Sequence, residues 1–243
     1  EQKTQINMRR DARSALSEWL GMYIDRAIFS VLTGVLPPYV TSASQFGFTM
    51  EAPSSDRVVY AGGKTSEATL TPSDKFDTSI IGICKRKAVE DEDTAIRPIR
   101  VDGKETYVMV IDQWQARDLK SDPKWIEAQE QANVRGEKNP IFSGAIGIYD
   151  GIVIHETNRV PRTDTGASGA KVAHSLFLGA QACVFAEGEA TRWEEKIFDY
   201  GNKYGVAIDR MFGLQKSKFK FDGTGYTDFS TYSDNPYQGY TGT

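Results

Sequence analysis

Residues 115–147 read QARDLKSDPKWIEAQEQANVRGEKNPIFSGAIG. Gln115, Arg117, Asp118, Trp125, Gln129, Arg135, Gly136, Asn139, Pro140, Phe142 and Gly144 make the stretch particular in side-chain type. It holds no Cys, no His and no Gly-rich turn ahead of a helix, the groups on which nucleophilic, metal and phosphate chemistry usually rest. Sequence this specific and this inert points to architecture. Within it, Asp122-Pro123 offers a cap and a first-turn proline, which predicts a helix to about Val134, stopped at Gly136.

Asp-Gly pairs bracket the stretch. Ile96–Val101 and Glu105–Ile111 flank Asp102-Gly103, while Ile146–Tyr149 and Ile152–Thr157 flank Asp150-Gly151. Asp-Gly suits the tight turn of a β-hairpin, so a hairpin is predicted on each side. Further upstream, Thr71-Pro72-Ser73-Asp74 predicts a helix start. Phe76, Ile80, Ile83, Cys84 and Lys87 keep helical rhythm up to the acidic run Glu90–Asp93. Residues 41–70 read as loop with a β-type run at Arg57–Tyr60 before Gly62-Gly63, and residues 158–173 (NRVPRTDTGASGAKVA) as a mobile loop. Strands are predicted at Ser175–Gly179, Ala182–Ala186, Arg192–Phe198 and Val206–Phe219, with Gly213 marking a bulge or turn. The tail 222–243, rich in Gly, Thr, Ser and Tyr, predicts an extended arm on a neighbour, or disorder.

The longest element is N-terminal. Leu16, Leu20, Tyr23, Ile24, Ala27, Ile28 and Val31 recur at helical spacing and predict a helix over about Gln5–Thr33, ended by Gly34 and Pro37-Pro38. It would reach roughly 40 Å at 1.5 Å per residue, the length of a strut.

With 243 residues, 40% apolar and 26% charged, the chain is globular, with room for one large core or two small ones. A net charge of −4 disfavours a dedicated grip on nucleic acid, and an acidic shell around DNA is compatible with it. No apolar run reaches the ~18 residues that span a bilayer. The chain begins at Glu1 without Met, as expected of a processed product or part of a longer protein. Cys84 and Cys183 sit among apolar neighbours and read as small buried hydrophobes in a protein assembled in a reducing cytosol.

Candidates for chemistry are few. His155 and His174 are the only histidines, and His155-Glu156 on a strand would point to opposite faces, so the pair cannot face one metal. Gly166–Lys171 lacks phosphate-loop spacing, with Val172 where Ser or Thr would hold magnesium, and Ser143 lacks the Gly two residues earlier of a nucleophile elbow. Asp91, Glu92, Asp93, Glu194 and Glu195 lie in charge runs, which read as solvated or inter-subunit faces. No catalytic, cofactor-binding or metal-ligating residue is assigned, and the chain reads as a non-enzyme. Trp114, Trp125, Trp193, Tyr200, Tyr204, Phe212, Phe219 and Phe221 crowd the second half, mostly as core, with the remainder as interface anchors.

Several blocks carry a resemblance. They are Tyr107–Leu119 (YVMVIDQWQARDL), Trp125–Gln129 (WIEAQ), Arg135-Gly136, Asn139–Gly144 (NPIFSG), Ile152–Glu156, Leu176–Ala182 (LFLGAQA), Trp193-Glu194-Glu195, Phe198–Asn202 (FDYGN) and Gly205-Val206. In this order, from about Leu20 to Phe219, the chain resembles the major capsid proteins of tailed bacteriophages of the podophage type. The resemblance implies an α+β protein with the Hong Kong ninety-seven capsid fold. Residues 1–41 would carry the spine helix of a peripheral domain, 42–204 an axial domain, 205–221 the returning peripheral strand and 222–243 a C-terminal arm or tail. Residues 158–173 would lie near the capsomer axis. In that family an N-terminal arm and an extended loop precede the spine helix; this sequence starts at the helix, so no residue is assigned to clasping between capsomers.

The implied function is self-assembly into the hexamers and pentamers of an icosahedral head enclosing double-stranded DNA. The implied partners are further copies of the chain, portal, scaffold and cement or decoration proteins, and DNA held non-specifically, with no membrane. The implied location is the virion, after assembly in the host cytoplasm. An encapsulin-type compartment, which shares the fold, is the alternative, and a soluble hydrolase using His155 and Glu156 the second. Arg9, Arg10 and Arg13 are expected to set register between neighbouring subunits by pairing with Glu90–Asp93 or Glu194-Glu195.

Overall fold

Helix α1 (Met8–Thr33) stops where the chain reverses its backbone handedness. Gly34 takes φ 74°, and its N–H donates to the Ser30 carbonyl at 2.9 Å. A Cβ at Gly34 would lie 2.6 Å from the Glu51 carbonyl oxygen and 2.8 Å from Ala52 Cα, so only glycine fits. Gly34→Ala is expected to cost about 2–3 kcal/mol through clash and φ strain, measured as a lowered urea midpoint of the unassembled subunit. The computed structural model describes residues 8–36, 40, 42, 47–90, 96–101, 103–131, 145–201, 203–217 and 240–242. The expected helix start at Gln5 lies outside them, as do Ser143, Asp91, Glu92, Asp93, Phe219 and Phe221.

A mixed sheet forms the second part of the molecule. Its strands are β1 (Val58–Val59), β2 (Ile99–Val101), β3 (Lys104–Ile111), β4 (Ala145–Tyr149), β5 (Ile152–Glu156), β8 (Ser175–Leu178) and β11 (Tyr240–Gly242). The order is β1-β11-β8-β3-β5-β4, with β2 paired to β3. Both predicted hairpins are present: β2 and β3 turn at Gly103, and β4 and β5 turn at Asp150-Gly151, both with positive φ. β3 and β5 run parallel in register Tyr107↔Ile152 to Ile111↔Glu156.

Period-two alternation decides what the sheet covers. Tyr107, Met109, Ile111 and Phe177 turn to one face, where they meet Ile80, Ile81, Cys84 and Ala88 of α2 (Thr78–Glu90). Ala116 and Leu119 of α3 (Gln113–Lys120) and Trp125 of α4 (Pro123–Gln131) complete that core. Leu176, next to Phe177, turns to the other face and packs on Leu32 at the end of α1. Helix α1 is thereby fixed to the sheet by its last turns.

Several expectations are corrected. Thr71–Asp74 forms a turn: the Asp74 carboxylate accepts from the Thr71 N–H and hydroxyl at 2.8 and 2.7 Å. The helix starts at Thr78 instead, where Asp77 accepts from the Ile80 N–H at 3.1 Å. Helix α3 was not foreseen, although Asp112 and Gln115 form a reciprocal capping box at its start. Residues 158–173 are an ordered fold-back, with β6 (Arg162–Thr163) paired to β7 (Val172–Ala173) and Val160 and Val172 buried. The two strands expected within 182–198 are one, β9 (Cys183–Phe198), paired along its length with β10 (Lys203–Lys216). Pairing is irregular between Asp209 and Phe212, while Gly213 pairs regularly with Ala186. The expected domain boundary at 204/205 falls inside β10. In the tail, Tyr240–Gly242 joins the chain's own sheet beside β8, and residues 222–239 lie outside the described residues.

Candidate assembly surface

The β9–β10 ribbon is the feature that a monomer explains least. Two antiparallel strands of 16 and 14 residues pair from Cys183↔Lys216 to Phe198↔Lys203. An isolated two-stranded ribbon is marginal in water and needs something to pack on. Here α1 supports the ribbon. At its base, Ala27 and Val31 pack on Leu214 with Phe212 and Cys183 alongside. Towards the tip the contact turns polar: Arg9 reaches Glu195 at 2.5 Å, and Arg13 sits 5.5 Å from the Trp193 ring centroid. The Trp193 indole N–H also donates to Glu195, at 2.5 Å. That bond, followed by the Arg9 hydrogen bond, holds the Glu195 carboxyl below its ordinary range. The expectation that Arg9, Arg10 and Arg13 reach a neighbouring subunit is thus corrected: Arg9 and Arg13 bind their own ribbon and Arg10 pairs with Asp11.

The ribbon's far end exposes large apolar side chains beside the Lys203–Asp199 ion pair, with Lys196 over the Phe198 ring. Ile197 and Tyr204 are 58% and 61% exposed, Phe198 is half exposed and Tyr200 fully so. Asp199, Tyr200 and Gly201 all take positive φ, turning Tyr200 to the apex. On α1, Trp19 is also exposed and stacks on Tyr23 at 5.6 Å. Clustered apolar side chains of this size in water mark a surface that is covered by another molecule. Sequence reasoning placed Tyr200 and Tyr204 among eight aromatic residues read mostly as core, without saying which would be interface anchors, and did not include Ile197, whose outward direction depends on strand register.

The block Tyr107–Leu119 does other work. Asp112 is fully buried, caps α3 through the Trp114 N–H at 3.0 Å, and accepts from the Arg162 guanidinium at 3.1 and 2.7 Å. Gln115 donates to the Ala173 carbonyl at 3.1 Å and to the Ser175 hydroxyl at 3.4 Å, tying α3 to β7 and β8. Of the aromatic candidates, Trp125 is core and meets Tyr149 in a tilted pair, while Trp114 is partly exposed.

The residues considered for chemistry are dispersed. His155 and Glu156 occupy successive positions of β5, and Glu156 pairs with Lys120 at 3.2 Å. Gly166–Lys171 forms a short 3₁₀ turn around Ala167–Gly169. Cys84 is buried, which pushes its thiol pKa up to about 12, and burial raises Cys183 as well; both are free. Among the described residues no group of three or more His, Cys, Asp or Glu could hold a metal, and no helix is long and apolar enough to cross a membrane.

One partly buried cluster had no sequence signal, because its members lie up to 107 positions apart (174 − 67). Glu67 accepts from the Thr163 hydroxyl at 2.6 Å, from Thr165, and from His174 at 3.2 Å. Burial lowers the His174 pKa below its ordinary 6.5, with Glu67 partly offsetting this. Burial works to raise Glu67, but the Thr163, Thr165 and His174 contacts outweigh it and hold the carboxyl below 4.5. Both groups bind protons more readily when unfolded, so their stabilisation is lost as pH falls, from about 6.5 for His174 and about 4.5 for Glu67. The urea midpoint is expected to drop between pH 7 and 5, and His174→Gln should flatten that part of the slope.

Known proteins are similar to this chain in sequence and in fold. A family model described as "Phage capsid protein" matches residues 1–233. The major capsid protein of Pseudomonas phage KPP25 is 32% identical over 249 residues, a match spanning 90% of this chain and 64% of that relative's length. Among solved structures, the capsid of Ralstonia phage GP4 superposes with a TM-score of 0.78 at 26% identity, covering 99% of this chain and 68% of that one. The cyanophage Pam1 capsid superposes with a TM-score of 0.66 at 20% identity, covering 99% and 69%. The fold is the α+β capsid fold of the Hong Kong ninety-seven type. The chain belongs to the phage capsid protein family.

Proposed function

We propose that this chain is the major capsid protein of a tailed phage, a non-enzymatic subunit that closes into hexamers and pentamers of an icosahedral head around double-stranded DNA. The observation that carries it is the bare apolar end of a ribbon braced by its own helix: a surface built at the cost of exposure and held ready for a neighbour. Residues 8–33 with 183–216 act as the peripheral unit, because α1 packs along β10. Residues 47–178 with the strand at 240–242 act as the axial unit. Head-to-tail contacts between copies close rings, and many modest contacts reinforce each other in a closed shell. Portal, scaffold and cement proteins complete the particle, which assembles in the host cytoplasm, needs no cofactor and holds DNA non-specifically. Negative-stain microscopy and velocity sedimentation of the purified chain test this: rings or shells are expected, and a persistent monomer would refute it.

A further inference from the structure

Helix α1 has a second apolar side. Arg9, Arg13, Ala27 and Val31 lie along the side that meets the ribbon. At about 100° per residue, Ala15, Trp19, Met22 and Tyr23 fall together roughly a quarter-turn away from it. Trp19 stacks on Tyr23 and still keeps 52% of its surface in solvent, and Ala15 is exposed beside it. Glu18, next to Trp19, is also exposed and has no cation partner among the described residues. An exposed indole with a carboxylate at its flank is a knob without a socket in its own chain.

The ribbon supplies a socket on its other face. Trp193 and Glu195 turn towards α1, so the alternate residues Glu194, Lys196 and Phe198 turn away from it. Glu194 and Lys196 pair across the ribbon with Ala207 and Gly205, whose small side chains leave a hollow of about 380 Å³ walled by Phe198 and Lys196. Gly205 is needed there: a Cβ on it would lie 2.9 Å from the Phe198 ring, and without one the ring rests against the ribbon. The Lys196 ammonium sits 5.3 Å from the Phe198 centroid and has no carboxylate partner among the described residues. An aromatic wall, a cation and a floor of small residues suit an indole, the side chain most typical of an interface anchor. The chain's own Trp19 cannot enter, because α1 lies on the opposite face of the ribbon. Knob and socket of this kind meet only between copies, head to tail.

We propose that Trp19 of one copy seats in the hollow beside Phe198 on the ribbon of another copy, with Glu18 of the first meeting Lys196 of the second. This contact deepens the shell-building reading and rests on it. The test uses the full chain at low salt, with particle yield read by velocity sedimentation and fold by circular dichroism. Trp19→Ala removes the knob and Ala207→Arg fills the socket. Both sites are exposed, so each variant is expected to keep the parent's spectrum and to lower particle yield by about tenfold. Glu18→Lys and Lys196→Glu are each expected to lower yield at low salt, with the deficit shrinking as salt is raised, and the two together restore it. With a parent that forms particles, three results would overturn this contact alone: parent-like yield from folded Trp19→Ala, a loss in Trp19→Ala that Ala207→Arg does not share, or no recovery when the two charge reversals are combined. The second of these means that a different partner covers Trp19. A parent chain that never leaves the monomer sinks the shell reading and this contact together.

Discussion

The double variant Ile197→Asp, Tyr200→Asp is expected to leave a folded, soluble subunit that forms no shells. Both side chains are exposed in the subunit, so their replacement removes little of its own packing, and the urea midpoint should correspond to within about 0.5 kcal/mol of the parent. Both belong to the exposed apolar group at the ribbon's end that also holds Phe198 and Tyr204. Loss of an anchor of this kind costs about 2 kcal/mol per contact, or roughly thirtyfold in one association constant. In a shell that loss recurs at every subunit, so closure fails. Electron micrographs showing parent-like particles would remove the ribbon tip from the assembly surface. An unfolded variant, seen by circular dichroism, would show that the tip stabilises the subunit itself.

Arg162→Ala is expected to be the most destabilising single change in the sheet-bearing part, costing about 3–5 kcal/mol in urea denaturation. Its cause is Asp112, a carboxylate with no solvent access whose Oδ1 receives both Arg162 contacts. Removing the guanidinium leaves that charge buried without its cation, and the α3 cap depends on the same side chain. Arg162→Lys should recover only part of the loss, because an ammonium cannot reproduce the two-pronged contact. Arg162 also covers the Trp114 ring, so indole fluorescence in the native baseline should change with the substitution. A loss below about 1 kcal/mol would mean that water reaches Asp112 and the pair behaves as a surface ion pair.

Local signals were legible in the sequence and distant ones were not. Gly34 closing α1, Asp150-Gly151 turning β4 into β5, and Asp122-Pro123 opening α4 were readable because turns and caps depend on a few adjacent residues. The helix placed at Thr71 failed because Asp74 folds back on Thr71, which competes with capping, while Asp77 three residues later does the capping. Strand β9 was split in two because its middle, Glu187–Thr191, is polar and holds a glycine. A ribbon exposed on both faces needs no apolar alternation, and Met211 covers Gly188 from the partner strand. The family blocks located the right protein class, yet the block Tyr107–Leu119 is an internal fastening through Asp112 and Gln115. The candidate surface was half visible: aromatic content marked Tyr200 and Tyr204, whereas Arg9 and Arg13 were assigned to a neighbour because sequence cannot show which acid lies beside them.

The packing of α1 on Leu214 has a consequence for synthesis on the ribosome. Val31 and Leu214 lie 183 positions apart (214 − 31), so at 5–20 residues per second the helix waits about 10–40 s before its partner strand is made. During that delay the nascent chain has no ribbon, and therefore no apex with which to recruit another copy. Late arrival of β10 therefore leaves the Ala27 and Val31 face of the helix uncovered until Leu214 has been made.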